Sequence, residues 1–212
     1  MVLPNYPHHV IQRGHNRQIV FTCSEDYLYY LENIKEWKKE LGCKVYAYCL
    51  MTNHVHLIVD PVNETENLAL LMKRVSGRQT RYVNKIEGRS GTLWESRYKS
   101  SPINKSEYLL ACCRYIEMNP VRAKITDEPE KYKWSSYRYK IGMEQTNWLD
   151  IDPCYMNLGR TEKERERRYK EWVYGAIPDG EWEIIRKAVR RGQLTGGSRF
   201  VEEVDRKDWE VD

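Results

Sequence analysis

Two imidazoles separated by a single residue, His54 and His56, are the side chains of this sequence best suited to holding a metal ion. They lie in KVYAYCLMTNHVHLIVD, residues Lys44–Asp60. Side chains alternate faces along an extended chain, so His54 and His56 point one way while Val55, Leu57 and Val59 point the other. Neutral imidazoles on one strand face are competent ligands, but two are too few for a closed site, and further donors must come from elsewhere. An accidental pair on a half-exposed strand has the same spacing, so the rest of the chain has to decide between the two readings.

A second group of donors lies downstream. Tyr115 and Asn119 are four residues apart and share a face on a continuing helix, together with Tyr108 and Cys112, while Leu109, Cys113 and Ile116 turn toward a core. If that helix crosses the sheet, a phenol and an amide carbonyl come beside the histidines. Two imidazoles, one amide oxygen and open positions suit a divalent ion such as Mg²⁺ or Mn²⁺ better than a thiolate-seeking one. Pro120 disfavours α geometry at Asn119. Free imidazoles would tie such a site to pH, with activity falling below about pH 6.

The elements that must position these groups follow from periodicity. Residues His9–Gly14 read as a strand. Ser24, as N-cap, opens a helix through Leu41 that Gly42 closes. Lys44–Met51 and His54–Asp60 form a hairpin about Thr52-Asn53, ended by Pro61. Asn67–Glu87 is the clearest amphipathic helix, with Leu68, Leu71, Val75, Tyr82 and Ile86 on its apolar stripe. Beside that stripe Arg74, Arg78, Arg81 and Lys85 make a basic row that could track a phosphate backbone or form a solvated face. Trp94–Ile103 reads as a fourth strand with Arg97 and Lys99 on one face. Ser106–Met118 reads as a helix stopped by Pro120. This order predicts an α+β fold, a ferredoxin-like antiparallel sheet with helices on one face plus one more helix. Beyond it a mainly helical C-terminal extension is expected, with a boundary near residue 145 that divides 1–145 from 146–212. It holds a capped helix from Thr161 to Tyr174, a short helix over Glu181–Arg191, and a flexible tail from Gly192–Gly197 onward.

Composition sets the outer limits. A chain of 212 residues, 41% hydrophobic and 31% charged, suits one sizeable core, and its apolar runs fall short of a membrane span. A cytoplasmic location without a membrane partner is expected. The six cysteines show no C-x-x-C spacing, and most of them read as buried hydrophobes rather than a zinc ribbon or a disulfide framework. A net charge of +4 is compatible with nucleic acid but does not argue for it.

Four stretches in order then carry a family resemblance: PHHVIQRG at 7–14, YCLMTNHVHL at 48–57, GTLWESRYKS at 91–100 and RYIEMNPVRA at 114–123, with WSSY at 134–137 as a further hallmark. Together they span about residues 7–140, and the sequence resembles the HUH single-strand transposases with one catalytic tyrosine, above all the REP-associated tyrosine transposases. The resemblance implies cleavage of single-stranded DNA beside a hairpin. It also implies that His54 and His56 are metal ligands, Tyr115 the nucleophile and Asn119 the third ligand. Attack by Tyr115 would give a 5′-phosphotyrosine and a free 3′-hydroxyl, and the covalent bond would let strands rejoin without ATP. Among the 16 tyrosines, Tyr82 is the alternative nucleophile. Trp94, Tyr98 and Trp134 are candidate stacking platforms for bases or structural aromatics. The competing readings are a non-catalytic DNA- or RNA-binding module and a domesticated transposase acting on host repeats, as a monomer or a homodimer.

Overall fold

Alternating apolar side chains build a four-stranded antiparallel sheet whose two faces are both covered. The computed structural model describes residues 1–207; residues 208–212, the end of the expected extension, lie outside the described residues. In chain order the elements are β1 (His8–Arg13), α1 (Ser24–Leu41), β2 (Lys44–Met51), β3 (His54–Asp60), α2 (Glu66–Ile86) and β4 (Lys99–Pro102). They continue with α3 (Leu109–Glu117), α4 (Asn119–Arg122), α5 (Tyr137–Lys140), α6 (Pro153–Met156), α7 (Glu162–Tyr174), α8 (Glu181–Arg191) and α9 (Ser198–Lys207). Strand order is β2-β3-β1-β4, with every neighbouring pair antiparallel, which is the ferredoxin-like arrangement expected. No helix among the described residues is long and apolar enough to cross a membrane.

Val10, Val55, Leu57 and Val59 point to one face, where Tyr30 and Ile34 of α1 and Leu68, Leu71 and Met72 of α2 cover them. Ile58, Cys49 and Met51 point to the other, under Leu109, Cys112, Cys113 and Ile116 of α3 and Ile185 of α8. The additional helix therefore lies across the sheet from α1 and α2. The turn of α1 is set by Asp26, whose carboxylate accepts hydrogen bonds from the Thr22 and Cys23 backbone N–H groups and the Thr22 hydroxyl. Cys23, rather than Ser24, is thus the residue at the cap.

Three local expectations change. The fourth strand is confined to Lys99–Pro102; upstream of it Trp94 makes a single bridge to Gly14, because its buried indole donates to the Ser76 carbonyl and draws the chain out of the sheet. The helix expected from Ser106 starts at Leu109, because the Asn104 carboxamide holds the Ser106 and Glu107 N–H groups in a turn. Pro120 does not stop the helical course; it sits in the first turn of α4, where its missing N–H is tolerated. Nor is 192–197 the start of a flexible tail. Gly192 caps α8 with a φ of 67°, Thr195 bridges Ile103, and α9 follows.

The C-terminal residues are tied to α3 through a buried ionic cluster. Glu117, fully buried, accepts from Ser136 Oγ at 2.5 Å and from Tyr169 OH at 2.6 Å. Lys140 Nζ lies 3.5 Å from Glu117 and 3.6 Å from Asp152, ion-pair rather than hydrogen-bond distances. Removing one partner of such a cluster strands the others without solvent. Glu117→Ala is therefore expected to cost about 3 kcal/mol or more, read as a lowered urea midpoint with unchanged slope; a change within about 0.5 kcal/mol, the range of ordinary surface substitutions, would mean the cluster contributes nothing.

Candidate active site

The β2–β3 hairpin turns at Thr52-Asn53, so β3 begins at His54, and the strand register pairs Arg13 with His54 and Ile11 with His56. Gly14 secures this corner: its N–H donates to Asn53 O at 2.8 Å, and a Cβ there would stand 2.4 Å from Gln18 O. The Asn53 amide is oriented by Nδ2 donating to Arg17 O at 3.2 Å, which leaves Oδ1 to accept from His54 Nδ1 at 2.6 Å. His54 thereby carries its proton on Nδ1 and keeps the lone pair on Nε2.

His56 is held differently. Its Nδ1 lies 2.8 Å from Nε2 of His9, a fully buried ring on β1. When His56 Nδ1–H donates to His9, the Nε2 of His56 is also free to bind. The His54 and His56 ring centroids are 5.1 Å apart. Tyr115, on α3, approaches from the opposite wall, with centroids 5.7 Å from His9 and 6.3 Å from His56. The Arg122 guanidinium lies 4.6 Å from the Tyr115 ring and 4.6 Å from Trp182 of α8, so an element of the C-terminal extension helps cover the phenol, which is 5% exposed.

Burial sets the charge state here. It pushes His9 down to about 3, and burial with the nearby Arg13 pushes His54 down to about 4. Burial, then His9, His54, Arg122 and Arg13, hold His56 well below its ordinary value. All three rings are neutral at pH 7, the form that binds metal. The acid limit expected near pH 6 from free imidazoles accordingly moves lower. The two histidines thus fit a divalent ion in protonation and donor orientation. Among the described residues no three His, Cys, Asp or Glu side chains form a metal-binding group. Asn119 is half-buried one turn beyond Tyr115; its Nδ2 donates to Ile116 O, and its Oδ1 lies 3.5 Å from Arg122 Nη1.

The remaining site residues are dispersed. Arg74, Arg78, Arg81 and Lys85 lie on α2, across the sheet from the histidines. Arg74 and Arg78 cover the Trp37 ring at 4.3 and 4.7 Å, and Arg78 pairs with Glu36, while Arg81 and Lys85 are exposed. Tyr82 stacks on Tyr29 on that same side, away from the histidines. Trp94 is buried in the α1–α2 core and Trp134 stacks on Tyr27 at 4.4 Å. Trp94 therefore presents no free ring face to a base, a correction to its reading as a stacking platform. Arg97 and Lys99 are exposed and share a cleft with Arg13. Sequence reasoning missed His9, Arg122 and Trp182. Strand alternation puts His9 on the face of Ile11 and Arg13, but only the β1–β3 register brings it to His56.

A ferredoxin-like sheet bearing paired histidines opposite a helix-borne tyrosine defines a class, the single-tyrosine transposases. The chain belongs to the family described as "Transposase IS200 like", whose profile matches residues 3–119. Among solved structures, a REP-associated tyrosine transposase bound to a REP hairpin has a similar fold. Its TM-score is 0.59 at 13% identity, covering 71% of this chain and 92% of that one. No curated protein matches the chain.

The buried rings also make stability pH-dependent. His8, whose Nε2 accepts from Leu3 N–H at 3.0 Å, is pushed down to about 4, chiefly by burial. The unfolded chain takes up protons near pH 6.5 while the folded rings do not, so stability is full above 6.5 and falls as pH drops from there toward 4. For His8 alone the loss is about 3 kcal/mol. Urea midpoints at pH 7 and 4.5 should differ accordingly; equal midpoints would mean that the rings protonate within the fold.

Proposed function

We propose that this transposase-family protein is a metal-dependent single-strand DNA endonuclease and strand transferase in which Tyr115 is the nucleophile. The observation that carries the reading is the packing of the Tyr115 phenol against His9 and His56 on the sheet face that also holds His54. His54 and His56 would hold the ion, Mg²⁺ or Mn²⁺, through Nε2, with the Asn119 carbonyl oxygen as third donor. When bound, that ion polarises the scissile phosphate and offsets its charge. The phenol oxygen attacks phosphorus, its proton passes to solvent, the bond from phosphorus to O3′ breaks, and the released 3′ oxygen takes up a proton. The product is a 5′-phosphotyrosine on Tyr115. Arg122, lying over the ring, supplies a fixed positive charge beside the developing negative charge. The substrate is proposed to be single-stranded DNA next to a hairpin. The α2 row of Arg74, Arg78, Arg81 and Lys85, on the far side of the sheet, would then meet the hairpin backbone rather than the scissile strand.

Incubation with Mn²⁺ and a hairpin-bearing single strand should yield a denaturation-resistant protein–DNA adduct that Tyr115→Phe abolishes. His54→Ala should lose the adduct yet retain most DNA affinity, because phosphate contacts supply most of that binding. An adduct that persists in Tyr115→Phe would remove Tyr115 as nucleophile. Salt-sensitive binding without any adduct, indifferent to chelator, would favour a non-catalytic module.

His9 is proposed to fix the His56 tautomer. His9→Leu should therefore weaken Mn²⁺ binding about 10–100-fold, followed by calorimetry, with the His54 contact to Asn53 untouched; unchanged affinity would make His9 a packing residue only.

A further inference from the structure

Next to the histidines, on their own face of the sheet, a cleft of about 220 Å³ is lined by Arg13, Arg97, Lys99 and Arg190, with Glu95 as the one carboxylate. The strand register fixes its place. Arg13 lies opposite His54, and Lys99 lies opposite Ile11, which in turn lies opposite His56. With strands about 4.8 Å apart, Lys99 stands two strands, roughly 10 Å, from His56. Arg190 enters from α8, which packs over β4 and β1, and Lys99 Nζ donates to the Arg190 carbonyl at 3.2 Å.

Among the described residues the charges in this cleft are not neutralised. Four cations against one carboxylate leave an excess of three positive charges, 4 − 1 = 3. Among the described residues Arg13, Arg97 and Arg190 make no ion pair, whereas Arg78, Arg114 and Arg138 each pair with a glutamate. Gathering unpaired cations beside one another is unfavourable in itself and is relieved by a bound polyanion. The helix that delivers Arg190 also delivers Trp182 to the phenol. Those two residues are about 12 Å apart along α8 at 1.5 Å per residue and about 80° apart around it at 100° per residue, so both lie on one side.

We propose that Arg13, Arg97, Lys99 and Arg190 form a phosphodiester-binding subsite for the single strand flanking the scissile position, with α8 as the guide running from Tyr115 to that cleft. The inference rests on the reading of the protein as a single-strand DNA enzyme and gives the C-terminal extension a role in it: holding the strand in register with the histidines. Phosphate contacts of this kind carry position rather than sequence.

The test uses the full chain carrying Tyr115→Phe, in EDTA, so that neither chemistry nor metal contributes. Binding of a fluorescent hairpin with a single-stranded flank is followed by anisotropy across a salt series. Arg190→Ala should weaken binding several-fold and lower the salt slope by about one; Arg190→Glu should weaken it further. Trimming the flank from the DNA should abolish the difference between parent and variant. Arg190 is exposed, so these variants keep the fold, checked by an unchanged urea midpoint. If the parent binds and Arg190→Glu, Arg13→Ala and Lys99→Ala bind equally well, the subsite is refuted while the transposase reading stands. If the parent binds no single-stranded DNA at all, both fall.

Discussion

The antiparallel pairing of β1 with β3 is the contact on which the candidate site depends. It sets Arg13 against His54 and Ile11 against His56, and it brings His9 within hydrogen-bonding distance of His56. Because strand side chains alternate, a slip of one residue in β3 would turn both histidines into the α1–α2 core and put Val55 and Leu57 under α3. Two features oppose such a slip. The apolar set Val55, Leu57 and Val59 is matched to the larger core, and Gly14, which pairs with Asn53 O, sits so close to Gln18 O that no side chain would fit there. The same valines and leucine that stabilise the sheet therefore aim the imidazoles.

Burial then acts as an electrostatic device. Histidines at the surface would share their protons with water near neutrality, whereas these rings are kept neutral by desolvation and by Arg13 and Arg122. Among the described residues neither of those two arginines is paired with a carboxylate, and a phosphate is a group that such a surrounding accommodates well. The buried cluster of Glu117, Lys140, Asp152 and Tyr169 lies behind the same helix. It begins two residues after Tyr115, so the rigidity of that helix is tied to residues far along the chain.

Much of this architecture was legible in the sequence because it rests on local patterns. Period-two alternation located the hairpin, and a 3.6-residue stripe located α2. Where local pattern competed with tertiary demand, reading failed. Trp94 carries a strand-like environment in sequence, but its indole is drawn to Ser76, and the strand begins only at Lys99. The residues 192–197 are rich in glycine, yet Thr195 is held by Pro102 and Asn104 across a bridge that no neighbouring residue foretells. His54, His56 and Tyr115 stood out by type and motif. His9 and Arg122 lie inside the motif stretches but their roles did not show there, and Trp182 lies outside them, since each acquires its neighbours from strand register or from a helix that arrives more than sixty residues after Tyr115.

Both borders of the sheet are occupied by segments of the chain itself. Along β2, Leu50 N–H donates to Trp134 O, and Ser136 N–H donates to Tyr48 O. At the end of β4, Thr195 N–H donates to Pro102 O. A second copy of the chain cannot continue the ladder at these points without displacing its own backbone partners. At these positions the edges that would otherwise template strand addition are closed by the chain's own turns, so the C-terminal residues act as a built-in cover for the sheet as well as for the phenol.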